Sequence, residues 1–111
     1  MIIHIIEKVS EEKLIKAIQK HIKSQYSKSR LNAEIYKKWK VGVTNNPDVR
    51  YKQNLPKGKI RLTYWKCWDA NTKNRALKVE KAFCQKGFSR CISTGFEADD
   101  SKFVYVFRVP D

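Results

Sequence analysis

Early in the chain, apolar residues recur at three- and four-residue spacing: Leu14, Ile15, Ala17, Ile18, Ile22 and Tyr26. This is the period of one helix face, and it predicts an amphipathic α-helix over about residues 11–26. Ser10 offers the N-cap, Val9 and Leu14 are spaced for a hydrophobic staple across it, and Glu11 and Glu12 suit the positive helix end. The other face carries Lys13, Lys16, Lys20 and Lys23, an ordinary solvated basic surface.

Elsewhere the pattern shortens to strand length. Ile2–Ile6 is a β-branched apolar run, read as a buried strand, in which His4 is expected to be a satisfied core or edge histidine rather than a catalytic one. A turn of helix is expected near Leu31–Ile35, with a strand beginning around Tyr36. Val41 and Val43 then alternate with Lys40, Gly42 and Thr44. Asn46 followed by Pro47 reads as a helix start, because Asn accepts an orphan N–H and proline suits the first helical position. Leu55-Pro56-Lys57-Gly58 makes a turn. Lys59–Trp68 alternates strongly, with Ile60, Leu62 and Tyr64 on one face and Arg61, Thr63 and Trp65 on the other. Asp69 or Asn71 is expected to cap a helix bearing Ala76, Val79, Ala82 and Phe83 and ending at Gly87. Residues 89–101 read as a loop, and Phe103–Val109 as a last strand.

These elements amount to one domain over residues 1–111 of the α/β (α+β) class, with a three- to four-stranded mixed or antiparallel sheet flanked by helices. Hydrophobic residues make up 41% of the chain, enough for a packed core.

Charge changes the picture. The net charge is +13, and from Lys20 to Arg61 twelve basic residues face only Glu34 and Asp48. A surplus of that kind, interleaved with aromatics, is an electrostatic footprint for nucleic acid. An acidic protein is the alternative partner. No stretch has the length of a membrane span and the amino end lacks the pattern of a signal peptide, so a cytoplasmic setting and no membrane partner are expected. Cys67, Cys84 and Cys91 lack zinc-ligand spacing and are expected to be reduced and mostly buried; a Cys84–Cys91 pairing is left open.

The chemistry centres on residues 39–50. Arg50 falls one turn into the helix after Pro47, beside a strand end and a glycine where a phosphate can approach the backbone closely. Glu80 sits beside an apolar helical stripe, where a carboxylate needs either a cationic partner or a divalent metal.

The segment Val41-Gly42-Val43-Thr44-Asn45-Asn46-Pro47-Asp48-Val49-Arg50 resembles the second half of the GIY-YIG nuclease signature, in which a "YIG" strand leads through a Thr-Asn-x-Pro turn to a helix with an essential arginine. Ala76-Leu77-Lys78-Val79-Glu80 is similar to the family's later metal-binding helix, and the likeness covers about residues 39–88. It implies a GIY-YIG-like fold with an extra helix at about 11–26, and metal-dependent endonuclease activity on nucleic acid, DNA ahead of RNA. It further implies Mg²⁺ or Mn²⁺ held by Glu80, with Arg50 steadying the scissile phosphate and Gly42 as the motif glycine. Lys40 stands at the family's tyrosine position, and no GIY tripeptide lies at the usual distance upstream. Lys40 is then either a general base or a phosphate contact, and Tyr36, on the same strand face if the strand reaches back that far, is the nearest phenol to stand in. Ile2–Ile6 is the candidate for the missing first strand. Lys37, Lys38, Lys52, Lys57, Lys59 and Arg61 are the expected contacts to the flanking nucleic-acid backbone. The competing outcome is a catalytically inactive basic binding module on the same scaffold.

Overall fold

A computed structural model of the chain describes residues 4–5, 10–25, 33–55, 57–58, 62–86, 90–91 and 98–109. In chain order the elements are β1 (His4–Ile5), α1 (Glu11–Lys23), α2 (Ala33–Tyr36), β2 (Trp39–Thr44), α3 (Pro47–Asn54), β3 (Thr63–Asp69), α4 (Lys73–Gln85), β4 (Arg90–Cys91) and β5 (Phe103–Arg108).

The strands form one mixed sheet in the order β1-β3-β5-β2-β4. Its centre is antiparallel: β5 lies between β3 and β2 and pairs with both. Two-residue strands extend the edges in parallel, β1 beside β3 and β4 beside β2. The class is α+β, with a small sheet flanked by helices. The sheet has one strand more than the sequence pattern predicts because β4 rises from a stretch read as loop. Of the expected Ile2–Ile6 strand, His4–Ile5 forms an edge strand parallel to β3, while Ile2, Ile3 and Ile6 lie outside the described residues.

Helices cover both sheet faces. On one, Leu14, Ile18 and Ile22 of α1 and Ala76, Val79 and Phe83 of α4 pack on Trp39, Val41, Val43, Val104 and Val106. Full burial of each large aliphatic contributes about 1.5–3 kcal/mol, so this face supplies most of the apolar drive. On the other face Leu62, Cys67, Tyr105 and Phe107 pack with Tyr51, Leu55, Trp65 and Phe103. Covering both faces is why Val104-Tyr105-Val106-Phe107 is buried throughout.

α1 begins as the pattern predicts, with the Lys13 N–H donating to Ser10 Oγ over 3.3 Å. It ends at Lys23; Val9 and Tyr26 lie outside the described residues. The cap of α4 is Thr72, whose hydroxyl accepts the Arg75 N–H at 3.1 Å. Asp69 instead accepts the Asn71 N–H at 2.7 Å, closing a turn in which Asn71 has φ 72°. The short polar Asn side chain tolerates that left-handed conformation, which is why it precedes the cap rather than forming it.

The sharpest departure is in β3. Regular alternation places Leu62 and Tyr64 together, opposite Trp65. One extra residue between Thr63 and Lys66 makes a β-bulge, with Tyr64 at φ 54°. The bulge reverses the facing: Leu62 and Trp65 share one cluster, while Tyr64 turns to the other face and stacks on Trp39.

Candidate functional site

Local hydrogen bonds hold α3 in place. Thr44 Oγ1 accepts the Asn46 N–H at 3.0 Å, Asn46 Oδ1 accepts the Val49 N–H at 3.2 Å, and Pro47 occupies the first turn, where its lacking N–H costs nothing. The Arg50 N–H then donates to the Asn46 carbonyl at 3.1 Å. One turn on, the Tyr51 hydroxyl accepts the Leu62 N–H at 2.8 Å and its ring meets Trp65 edge-on, 5.0 Å between centroids. Arg50 is thereby set, half-buried, on a helix anchored to the sheet.

Gly42 is used differently from the sequence expectation. Across the sheet Gly42 registers with Tyr105, and Tyr105 registers with Cys67. The Tyr105 phenol occupies the space a Cβ at Gly42 would need, overlapping it with both its hydroxyl and its ring. Gly42 is buried as well. The close approach that this glycine permits is to a tyrosine of β5, not to a phosphate.

Tyr105 is fully buried, its ring stacked on Trp65 at 4.8 Å and 17°. Burial pushes its phenol above the ordinary range, Arg50 and the Asn54 amide work against that rise, and Glu80 and Cys67 add to it. The hydroxyl has no hydrogen bond of good geometry, and neither has the Trp65 indole N–H. The Asn54 amide, which works against the rise, donates to the Arg50 carbonyl at 3.0 Å. Arg50 and Glu80, carried on helices of different clusters, thus share one electrostatic neighbour.

Glu80 is 5% exposed on α4, beside Val79 and Phe83. No group of three His, Cys, Asp or Glu side chains arranged to hold a metal occurs among the described residues. Glu80 is the carboxylate that would be offered to a divalent ion, and it is already engaged by other groups of the fold.

The other expected residues are dispersed. Lys40 shares the Gly42 face, and its ammonium lies 5.9 Å from the Phe107 centroid in a cation–π geometry. Tyr36 does not join them. β2 begins only at Trp39, and Tyr36 ends α2, buried edge-on against Phe83 at 6.3 Å, its phenol raised by burial and lowered by a hydrogen bond with Gln19. Lys37 and Lys38 are exposed in the turn after α2, Lys52 is exposed on α3 and Lys57 in the following turn. Lys59 and Arg61 lie outside the described residues.

The residue that sequence reasoning missed is Tyr105. Phe103, Tyr105 and Phe107 alternate plainly in the sequence, but nothing local says that the last strand inserts beside β2. The thiols divide, Cys67 meeting the expectation of a reduced, buried thiol and Cys84 departing from it. Cys67 is free and buried, with burial, Asp69 and Asp48 raising it well above the thiol range, whereas Cys84 is disulfide-bonded. The Cys91 side chain lies outside the described residues.

No helix among the described residues is long and apolar enough to cross a membrane. Compared with known proteins, the chain matches no protein-family model, no curated protein and no solved structure.

Proposed function

We propose that this protein binds nucleic acid, DNA ahead of RNA, and acts on it as a metal-dependent endonuclease of GIY-YIG type. The observation that supports this best is the setting of Arg50, held half-buried one turn into a helix whose start is fixed by Thr44, Asn46 and Pro47 at the end of β2. The exposed Lys37, Lys38, Lys52 and Lys57 and the +13 charge provide phosphate contacts. Mg²⁺ or Mn²⁺, when bound, supplies Lewis-acid stabilisation of the phosphate and leaving oxygen. Arg50 contributes fixed positive charge for the phosphorane-like transition state, and Lys40 a further cation.

A second reading is recognition without cleavage, of nucleic acid or of an acidic protein, and one observation favours it. Tyr105 is inaccessible and held neutral by burial, so as folded it neither takes a proton from water nor touches substrate. A cytoplasmic setting accompanies the nucleic-acid reading, while the Cys84 disulfide points towards an oxidising compartment. Reducing against non-reducing gels of thiol-blocked cell extract decide that question.

The test is incubation with labelled duplex, single-stranded and branched DNA and with RNA, in Mg²⁺, Mn²⁺ or EDTA, beside Arg50→Ala and Glu80→Gln. Cleavage that needs metal and vanishes in both folded variants supports the endonuclease. Tight, salt-sensitive binding with no cleavage establishes the second reading, and no binding to any nucleic acid removes the first.

A further inference from the structure

Tyr64 combines three features that its packing does not require. It is an aromatic residue at φ 54°, a left-handed conformation that strains a bulky side chain and persists only where surroundings enforce it. Its carbonyl is clamped from another element, accepting the His21 Nε2–H at 2.9 Å, while the imidazole packs edge-on against Trp39 and Trp68 at 5.8 and 5.7 Å. Its ring stacks on the fully buried Trp39 with 6.2 Å between centroids and 23° between planes, yet stays 43% exposed. Regular strand geometry would turn this position away from Trp39, so the bulge is what brings the ring onto it. The arrangement fixes one ring face on Trp39 and leaves the rest of the ring to solvent.

The surroundings are cationic. Lys20 and Lys23 are exposed in the α1 turn that carries His21. Lys66, two residues after Tyr64, is close enough to His21 to oppose its protonation, and its ammonium lies 5.6 Å from the Trp68 centroid. Exposed Lys38 directly precedes Trp39, and Arg108 registers with both Thr63 and Trp39. A half-exposed ring anchored on Trp39 amid exposed lysines suits unpaired bases, because stacking serves any base and the lysines can meet the phosphates. A duplex buries its base faces and offers only the phosphates to such a surface.

We infer that Tyr64 is a stacking platform for an unpaired base, so that the preferred ligand is single-stranded or locally unpaired nucleic acid. This rests on the nucleic-acid-binding reading above. The platform belongs to the sheet face of Trp39, opposite the face of Tyr105 and Gly42, and is therefore a contact separate from the Arg50 site.

Fluorescence anisotropy tests it with three labelled probes of equal length: a single strand, the same strand with abasic sites in its central tract, and the duplex. Wild-type protein should bind the single strand roughly 5- to 150-fold more tightly than the abasic strand, the range expected for one stacked base. Tyr64→Gly, which relieves the left-handed backbone while deleting the ring, should keep its fold by circular dichroism and lose this preference. Tyr64→Phe should retain it. Equal binding of the base-containing and abasic strands by wild type, or an unchanged preference in Tyr64→Gly, would overturn the platform while leaving salt-sensitive nucleic-acid binding intact. Failure to bind any probe would remove the nucleic-acid reading together with it.

Discussion

The Tyr105 hydroxyl fills the space that a side chain on Gly42 would need, and the two residues face each other in the β2–β5 register. A glycine that looks like a phosphate seat is thus an accommodation for a phenol arriving from the far end of the chain. Gly42→Ala should destabilise the fold by about 1–3 kcal/mol or more, because the overlapping atoms belong to a rigid ring held under Trp65. In a Tyr105→Leu background the same substitution should cost clearly less. Urea denaturation of the four proteins gives the coupling, and strict additivity would refute the relationship.

Tyr105→Phe separates folding from function. The buried hydroxyl lacks a good hydrogen bond, so its removal should leave stability unchanged or raise it by up to about 1 kcal/mol. If the phenol serves hydrolysis, metal-dependent cleavage should fall at the same time. A variant that is more stable and fully active would mean the hydroxyl has no part in the chemistry.

Arg50→Ala should weaken binding and flatten its salt dependence. Loss of one phosphate contact lowers the slope of log K against log salt by about 1, whereas a residue serving only the fold would shift the melting temperature and leave the slope alone. Titrations at several salt concentrations, beside thermal melts, distinguish the two.

Burial, with Lys66 adding to it and the bond to the Tyr64 carbonyl opposing it, holds His21 below the usual histidine range. The unfolded chain therefore binds the proton more readily. The contribution is fully present above the unfolded value, near pH 6.5, and declines as pH falls through that value towards the lowered folded one, at no more than about 1.4 kcal/mol per pH unit. His21→Gln keeps a donor for the Tyr64 carbonyl without the titration. Stability measured from pH 8 to 4.5 should show wild type losing its advantage on the acid side; a difference independent of pH would contradict the assignment.

Thr72→Ala should cost about 1 kcal/mol, the usual loss for an N-cap, and Asn71→Gly little or nothing, since glycine adopts φ 72° freely. The reverse order in chemical denaturation would return the cap to Asn71.

Sequence and structure agree where a signal is local. The Ser10 cap and the three- and four-residue spacing of Leu14, Ile18 and Ile22 specify α1, since a helix's caps and buried face are encoded within a few turns. Asn46-Pro47 specifies the start of α3 and so the setting of Arg50 for the same reason. The acidic pair at the head of α1, the net charge and the α+β class were equally legible.

The tertiary structure alone decided what depends on non-local pairing. The alternation of Phe103, Tyr105 and Phe107 announces a strand, but insertion between β2 and β3 is settled by burial of both its faces, a property of the whole sheet. With that insertion Tyr105 reaches Gly42, and Tyr36, separated from the Lys40 strand by a turn, drops out of the site. The bulge at Tyr64 is hidden for the same reason: a single extra residue leaves no trace in the residue pattern, and it is held by His21 and Trp39 from elements far away in the chain.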